Sequence, residues 1–362
     1  MFVKSLELRN YRNYEKLHID FDSGTNVLYG DNAQGKTNIL ESIYVCATSK
    51  SHRGSKDKEI IHFNDEESHI KLFVDKKGVE TRIDMHLKKN KTKGIAIGGI
   101  PIRKASELFG NINVVFFSPE DLNIIKNGPS ERRRFLDMEL CQLDKIYTSG
   151  LVSYNKALNQ RNKLLKDIPF HPDYMDTLQV WDMQLVKFGC EVMKRRNQFV
   201  EELNRLISGI HKRLTGGREE IWISYEPDIN TEDFEETLHL SREKDLKNRL
   251  TMRGPHRDDI LFIINGIDIR KYGSQGQQRS AALSLKLSEI EMIKKTTGES
   301  PILLLDDVLS ELDSRRQNHL LESIQDIQTI ITCTGLDDFV NNHFSMNQIY
   351  QVVNGNVISE KQ

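Results

Sequence analysis

Two hydrophobic periods alternate along the chain. Near the N-terminus, Leu17, Ile19 and Phe21 alternate with His18, Asp20 and Asp22, the period of a half-buried strand. Thr25 to Tyr29 predicts a short strand ending at Gly30. From Asn38 to Thr48 the period lengthens, and Ile39, Leu40, Ile43 and Cys46 share one helical face. Strand, glycine loop and helix therefore follow in order. Between Ile70 and Ile97, Val79, Thr81, Ile83, Met85 and Leu87 alternate with polar or charged residues. That predicts an antiparallel meander with one solvated side. Val114 to Phe117 is wholly apolar and is stopped by Ser118-Pro119.

Helical periods dominate the middle. Glu131 to Leu165 and Trp181 to Leu214 predict long amphipathic helices, the second broken by Thr215-Gly216-Gly217. Ile221 to Tyr225 predicts a short strand, and Asp233 to Leu250 a helix. Strands return at Asp259 to Ile264 and Ile267 to Lys271, joined by an Asn265-Gly266 turn. Gln277 to Lys295 predicts a helix. Pro301 to Leu305 and Thr329 to Cys333 are apolar runs of the kind buried in a parallel sheet, and Asn354-Gly355 marks a final hairpin. The expectation is an α/β head, split into residues 1–129 and 251–362, with a mostly helical lobe inserted at 130–250.

Composition narrows this picture. The 362 residues carry 51 Lys plus Arg against 53 Asp plus Glu, a net charge of −2, so nucleic-acid binding would need local patches. Cys46, Cys141, Cys190 and Cys333 lie far apart with no zinc-type spacing, which predicts reduced thiols. No secretory signal and no apolar run of membrane-spanning length is visible, so the expected location is cytoplasmic, without a membrane partner.

Gly30-Asp31-Asn32-Ala33-Gln34-Gly35-Lys36-Thr37 matches the phosphate-loop pattern G-x-x-x-x-G-K-[ST]. Its glycines allow backbone N–H groups to converge on phosphate oxygens. Lys36 supplies a point charge to the β/γ-phosphates, Thr37 a hydroxyl for Mg²⁺, and the helix beginning near Asn38 its positive end. Asp306-Asp307, closing the run Ile302 to Leu305, has the Walker B pattern. Asp306 is the expected metal-binding carboxylate, and Asp307 the group that orients or deprotonates the attacking water. Gly273-Ser274-Gln275-Gly276-Gln277-Gln278 opens a helix and is either an anion site or a simple cap. Ser310-Glu311-Leu312-Asp313 follows the Walker B strand.

In this order the four pieces resemble an ABC-type ATPase head. The resemblance implies that Ser274, Gly276 and Gln277 complete the nucleotide site of a second head, and that Asp313 lies at the dimer interface. The gap between phosphate loop and signature is longer than in transporter subunits. It is also far shorter than the coiled-coil insertions of SMC heads. Leu8 to Tyr14, Gly30 to Glu41, Ser51 to Arg53, Phe117 to Leu122, Arg132 to Asp137, Gln160 to Asn162, Gly254 to Asp259 and Leu305 to Asp313 make the chain similar to the RecF family. That similarity implies ATP and Mg²⁺ as cofactors and an ATP-dependent homodimer. It further implies binding to double-stranded and gapped DNA, and RecR, RecO and RecA as partners. It makes Arg12 and Arg53 nucleotide contacts. Asp307 stands where ABC ATPases carry Glu, and Thr334 about where they carry a switch His. Ser118-Pro119-Glu120-Asp121 stands where a Gln is usual. The expectation is therefore slow hydrolysis. A transporter subunit and a small-molecule kinase are the competing readings.

For DNA the candidates are Lys88, Lys89, Lys91, Lys93, Arg103 and Lys104, which together with Arg82 face one acid, Asp84, in this stretch. Arg132-Arg133-Arg134 and Lys194-Arg195-Arg196 are further clusters, each with acids at helical spacing. A solvated or ion-paired face is the alternative for all of them.

Overall fold

The computed structural model describes residues 1–336 and 345–360. The chain divides into two compact units, Met1–Asp121 with Lys286–Gln362, and Leu122–Leu285.

The first unit holds two six-stranded sheets. One is antiparallel: Phe2–Tyr11 lies between Tyr14–Asp20 and Glu67–Lys76, followed by Val79–Lys88, Gly94–Ile97 and Ile100–Pro101. The other is mostly parallel, in the order Asn356–Glu360, Gln348–Val353, Thr25–Tyr29, Thr329–Cys333, Ile302–Asp306, Val114–Phe117. Its central strands are buried on both faces, which is why they read as mostly apolar runs without polar alternation. Leu6, Leu8, Ile70 and Ile83 of the first sheet and Leu28, Ile302, Leu304 and Ile330 of the second share one core. Ile39, Leu40 and Ile43 of helix Lys36–Thr48 fill it.

The second unit packs helix Lys145–Asp167 against helix Met175–Thr215, beside a three-stranded sheet of Ile221–Glu226, Asp259–Ile264 and Ile267–Asp268. This corrects the expected boundary at 250. Asp259–Ile264 pairs along its length with Ile221–Glu226, so the backbone hydrogen bonds of the later strand belong to the insert. Two helical readings also change. The run from Glu131 breaks into Pro129–Leu143 and Lys145–Asp167, because Asp144 turns extended and caps the second helix, accepting from the Ile146 and Tyr147 N–H groups. Asp233 to Leu250 divides into Phe234–Leu240 and Arg242–Asn248. The strand expected at Ile267 to Lys271 lasts two residues before helix Ile269–Tyr272 begins, its N–H at Arg270 capped by Asp268.

Candidate nucleotide-binding site

The parallel sheet assembles the site by register. Tyr29 pairs with Cys333, Asp306 with Thr332, and Leu305 with Phe117. All four strands therefore end at one edge, and Gly30, Thr334, Asp307 and Ser118 follow there. Ligands of open α/β sheets bind outside the carboxyl ends of the strands.

The loop Gly30 to Thr37 is shaped by backbone that few side chains tolerate. Gly30 has φ +148° and Gly35 φ +107°. A Cβ on Gly30 would lie 2.4 Å from the Val352 carbonyl oxygen, and one on Gly35 would lie 2.4 Å from the Asn13 amide. Lys36 Nζ donates to the carbonyls of Gly30 at 2.5 Å and Asp31 at 2.8 Å, folding back over the loop. Burial lowers the Lys36 pKa, and the charges of Asp307, Asp306 and Asp31 oppose that shift. Asn32 and Ala33 form the exposed crest of the loop.

At the far end of the loop, Thr37 Oγ1 donates to Asp306 Oδ1 at 2.7 Å. Thr332 Oγ1 donates to the same oxygen at 2.8 Å and accepts from the Asp307 N–H at 3.0 Å. Asp307 has φ +54°, a left-handed conformation uncommon for a non-glycine residue. The strand ends sharply there, and its second carboxylate leaves the sheet line. The hydroxyl of Thr37 and the carboxylate of Asp306 are oxygen donors of the type a hard divalent cation takes, so the residues fit Mg²⁺.

The loop rim, including the expected nucleotide contacts Gln34 and Asn38, is tied by Asn13 and Asn354, to which sequence reasoning gave no role. Asn13 Nδ2 donates to the Gln34 carbonyl, and Asn38 Nδ2 donates to Asn13 Oδ1. Gln34 Oε1 accepts from the Asn354 N–H of the last hairpin at 2.5 Å. Arg53 is exposed, with Nη1 3.5 Å from Asn38 Oδ1, so it lies beside the loop as expected. Arg12 differs from expectation. It donates twice to the fully buried Glu41, at 2.8 and 2.7 Å, and to Ser55 and the Glu59 carbonyl. Here Arg12 braces the helix that follows the loop. Burial by itself would raise the Glu41 pKa, but hydrogen bonds from Arg12 and Ser51 hold it below the usual carboxylate value.

In the second unit, Ser274 and Gln277 form a reciprocal capping box at the start of helix Gln275–Thr297. The Ser274 N–H donates to Gln277 Oε1 at 3.0 Å, and the Gln277 N–H donates to Ser274 Oγ at 3.2 Å. Ser274 and Gly276 are exposed. Asp313 caps helix Ser314–Ser323 through the Arg316 N–H, while the side chain of Glu311 lies outside the described residues.

The basic clusters are more neutral than their sequence suggests. Arg82 pairs with Asp84, Lys88 with Glu67, Lys89 with Glu66, and Lys93 with Asp57. Three of these acids come from other segments, which the local count missed. Lys91, Arg103 and Lys104 are exposed and have no acidic partner among the described residues. Arg132 is spent on Asp259, Arg195 on Glu191 and Asp144, and Arg196 on Asp137 and Asp258. Those three arginines take the ion-paired reading, Arg133 donates to the Asp258 carbonyl, and Lys194 is exposed.

Comparison with known proteins agrees with this layout. The family model described as the RecF/RecN/SMC N terminal domain matches residues 2–358. A protein of Lachnospira eligens named DNA replication and repair protein RecF is 66% identical over 362 residues, covering 99% of this chain and 100% of the relative. One of the same name from Clostridium botulinum strain Eklund 17B is 46% identical over 364 residues, covering 99% and 100%. The solved structure of the recombination mediator protein RecF with ATP, described as part of the RecFOR pathway, has a TM-score of 0.93 at 37% identity and covers 99% of this chain and 98% of that one. The Smc head domain from Pyrococcus furiosus has a TM-score of 0.56 at 17% identity, covering 99% and 96%, which shows a shared fold. The chain has the ABC-type ATPase fold of SMC heads, and it belongs to the RecF family.

Proposed function

We propose that this chain binds ATP at the Gly30 to Thr37 loop and acts in DNA replication and repair. In this reading ATP drives two copies together on double-stranded or gapped DNA. The observation that carries it is the hydrogen bond from Thr37 to Asp306, which joins the phosphate loop to the Walker B strand at the carboxyl edge of the sheet. The RecF name of relatives covering the whole chain, and the ATP complex and RecFOR pathway named for a solved relative, support the same reading. They also make RecR and RecO the partner candidates, with RecA loading as the downstream step.

When bound, Mg²⁺ held by Thr37 and Asp306 would neutralise charge on the terminal phosphates. The other roles fall to the chain itself. Backbone N–H groups of Asn32 to Thr37 and the positive end of helix Lys36–Thr48 bind phosphate oxygens. Lys36, now on carbonyls, would turn to the β/γ-phosphates. Asp307 would accept the proton of a water attacking the γ-phosphorus as the bond to ADP breaks. An Asp reaches one methylene less far than a Glu, and no His follows the next strand, since Thr334 stands there. Both features favour slow hydrolysis, so that ATP works chiefly as an assembly switch. Ser274 and Gly276 are exposed in the single chain and, with Gln277, would meet the γ-phosphate held by a second copy.

The test measures mass in solution and DNA affinity with and without Mg-ATP. Wild type should gain dimer mass and DNA affinity with ATP, while Lys36→Arg and Ser274→Arg should stay monomeric. ATP changing neither quantity in the wild type would overturn the switch, and normal dimerisation of Ser274→Arg would overturn the role of the signature.

A further inference from the structure

The antiparallel sheet of the first unit carries a side-chain cluster that the nucleotide site does not use. Alternation along Glu67–Lys76 turns Glu67, His69 and Lys71 to the solvated face, while Ser68, Ile70 and Leu72 are buried. The antiparallel register then sets His86 of Val79–Lys88 opposite His69, and Lys88 opposite Glu67. His86 Nε2 lies 2.9 Å from Glu67 Oε2, and His69 Nε2 lies 3.7 Å from Glu67 Oε1. The two imidazoles stack with centroids 4.0 Å apart. One ligand atom from each of the three residues falls within 4.8 Å of the other two.

This donor set suits a particular class of ion. Imidazole nitrogen favours zinc and its neighbours over magnesium and calcium, which take oxygen. Zinc bonds of roughly 2.0–2.2 Å at tetrahedral angles hold donor atoms about 3.3 Å apart. The separations of 2.9 and 3.7 Å to Glu67 bracket that value, and the two imidazoles bring their donor atoms within 4.8 Å of each other. The site is also open. His86 pairs on its other side with Gly94, which has no side chain to cover it. The two imidazoles are 40% and 33% exposed.

We propose that Glu67, His69 and His86 form a surface site for a divalent transition metal of the zinc class, which pins the strands Glu67–Lys76 and Val79–Lys88 together. Three protein ligands leave one tetrahedral position for water. Lys88, 3.6 Å from Glu67, competes with the ion for that carboxylate, and Arg9, opposite His69 on the other flank, adds a second repelling charge.

The test titrates EDTA-stripped full-length protein with Zn²⁺ by calorimetry. Excess Mg²⁺ is present so that the nucleotide site is not the one read. Wild type should take up one equivalent that His69→Ala and His86→Ala each weaken at least about tenfold, because even outer-shell changes at metal sites cost 10–100-fold. Lys88→Ala should tighten the same equivalent several-fold, an effect that damage to the fold would not produce. All four proteins should keep the same far-UV circular dichroism, since these side chains are on the solvated face. No zinc uptake by wild type, or affinity within twofold of wild type in the His69→Ala, His86→Ala double variant, would overturn the proposal. Weaker zinc binding by Lys88→Ala would overturn it too.

Discussion

At the residue scale, Thr332 is the most consequential side chain that its own sequence position hides. Its hydroxyl gives its one hydrogen to the Asp306 carboxylate and receives the backbone N–H of Asp307, so one group holds a side chain of one Walker B residue and the main chain of the other. Thr332→Val keeps the shape and removes both bonds. It should cost about 0.5–1.5 kcal/mol of stability in urea titrations, the net worth of an ordinary hydrogen bond, because Asp306 Oδ1 keeps the Thr37 hydroxyl and the Asp307 N–H keeps the Thr332 carbonyl at 3.2 Å. Phosphate release should slow several-fold, with ATP affinity within about twofold, since Lys36 and the loop are untouched. His256 makes a second case. Its Nδ1 is 2.7 Å from the Tyr154 hydroxyl and its Nε2 is 3.0 Å from the Thr251 carbonyl, an arrangement met by a neutral ring protonated at Nε2. Burial pushes its pKa down from 6.5 to about 4. Between those values the unfolded chain binds a proton that the folded chain refuses. Stability is therefore complete above about pH 6.5 and falls as the pH drops toward 4, by no more than about 3 kcal/mol. Unfolding titrations across this window should be flatter for His256→Asn.

At the element scale, the capping box at Ser274 gives one short motif a structural duty beside its proposed one. As a cap it satisfies N–H groups at the start of helix Gln275–Thr297. Ser274→Ala should lower unfolding free energy by about 1 kcal/mol, typical for losing an N-cap. The same variant separates the duties. If Ser274→Ala still dimerises with ATP while Ser274→Arg does not, bulk and charge at the meeting surface are responsible, and the lost cap is not. Asp144 shows how much a single cap can decide. The helical period runs on from Glu131 to Leu165, but a carboxylate that accepts two N–H groups starts a new helix at Lys145. Periodicity reports which face is buried, and a continuous face can span a break.

At the scale of the whole molecule, the near-neutral net charge is distributed by pairing. Lys93 donates to the Ser49 carbonyl and to Asp57, and its ammonium holds two segments together. Lys91, Arg103 and Lys104 remain as the proposed phosphate contacts. Replacing those three with Ala should weaken DNA binding and reduce the slope of log affinity against log salt by up to about 3, close to one for each phosphate no longer neutralised. Lys93→Ala should instead change stability and leave the salt slope near that of wild type. Fluorescence titration of duplex DNA at several salt concentrations, alongside thermal unfolding, distinguishes the two effects.

Much of this was legible in one dimension. Strands Thr25–Tyr29, Val114–Phe117 and Thr329–Cys333 fall where the sequence puts them, because a strand buried on both faces shows no alternation of exposed polar and buried apolar positions. The phosphate loop and the Walker B pair were legible because their chemistry depends on contiguous residues. What the sequence by itself determined is therefore local: the period of each element, the glycines a tight loop demands, and carboxylates at a strand end. The tertiary structure decided whatever depends on which strand lies beside which. Strand pairing carried Asp259–Ile264 into the insert, past the expected boundary at 250. It brought Thr332 onto Asp306 and gave Lys88 and Lys89 their acids. It also set His69 beside His86. The physical reason is common to all of these: hydrogen-bond register joins residues distant in the chain, and no spacing rule along one strand records it.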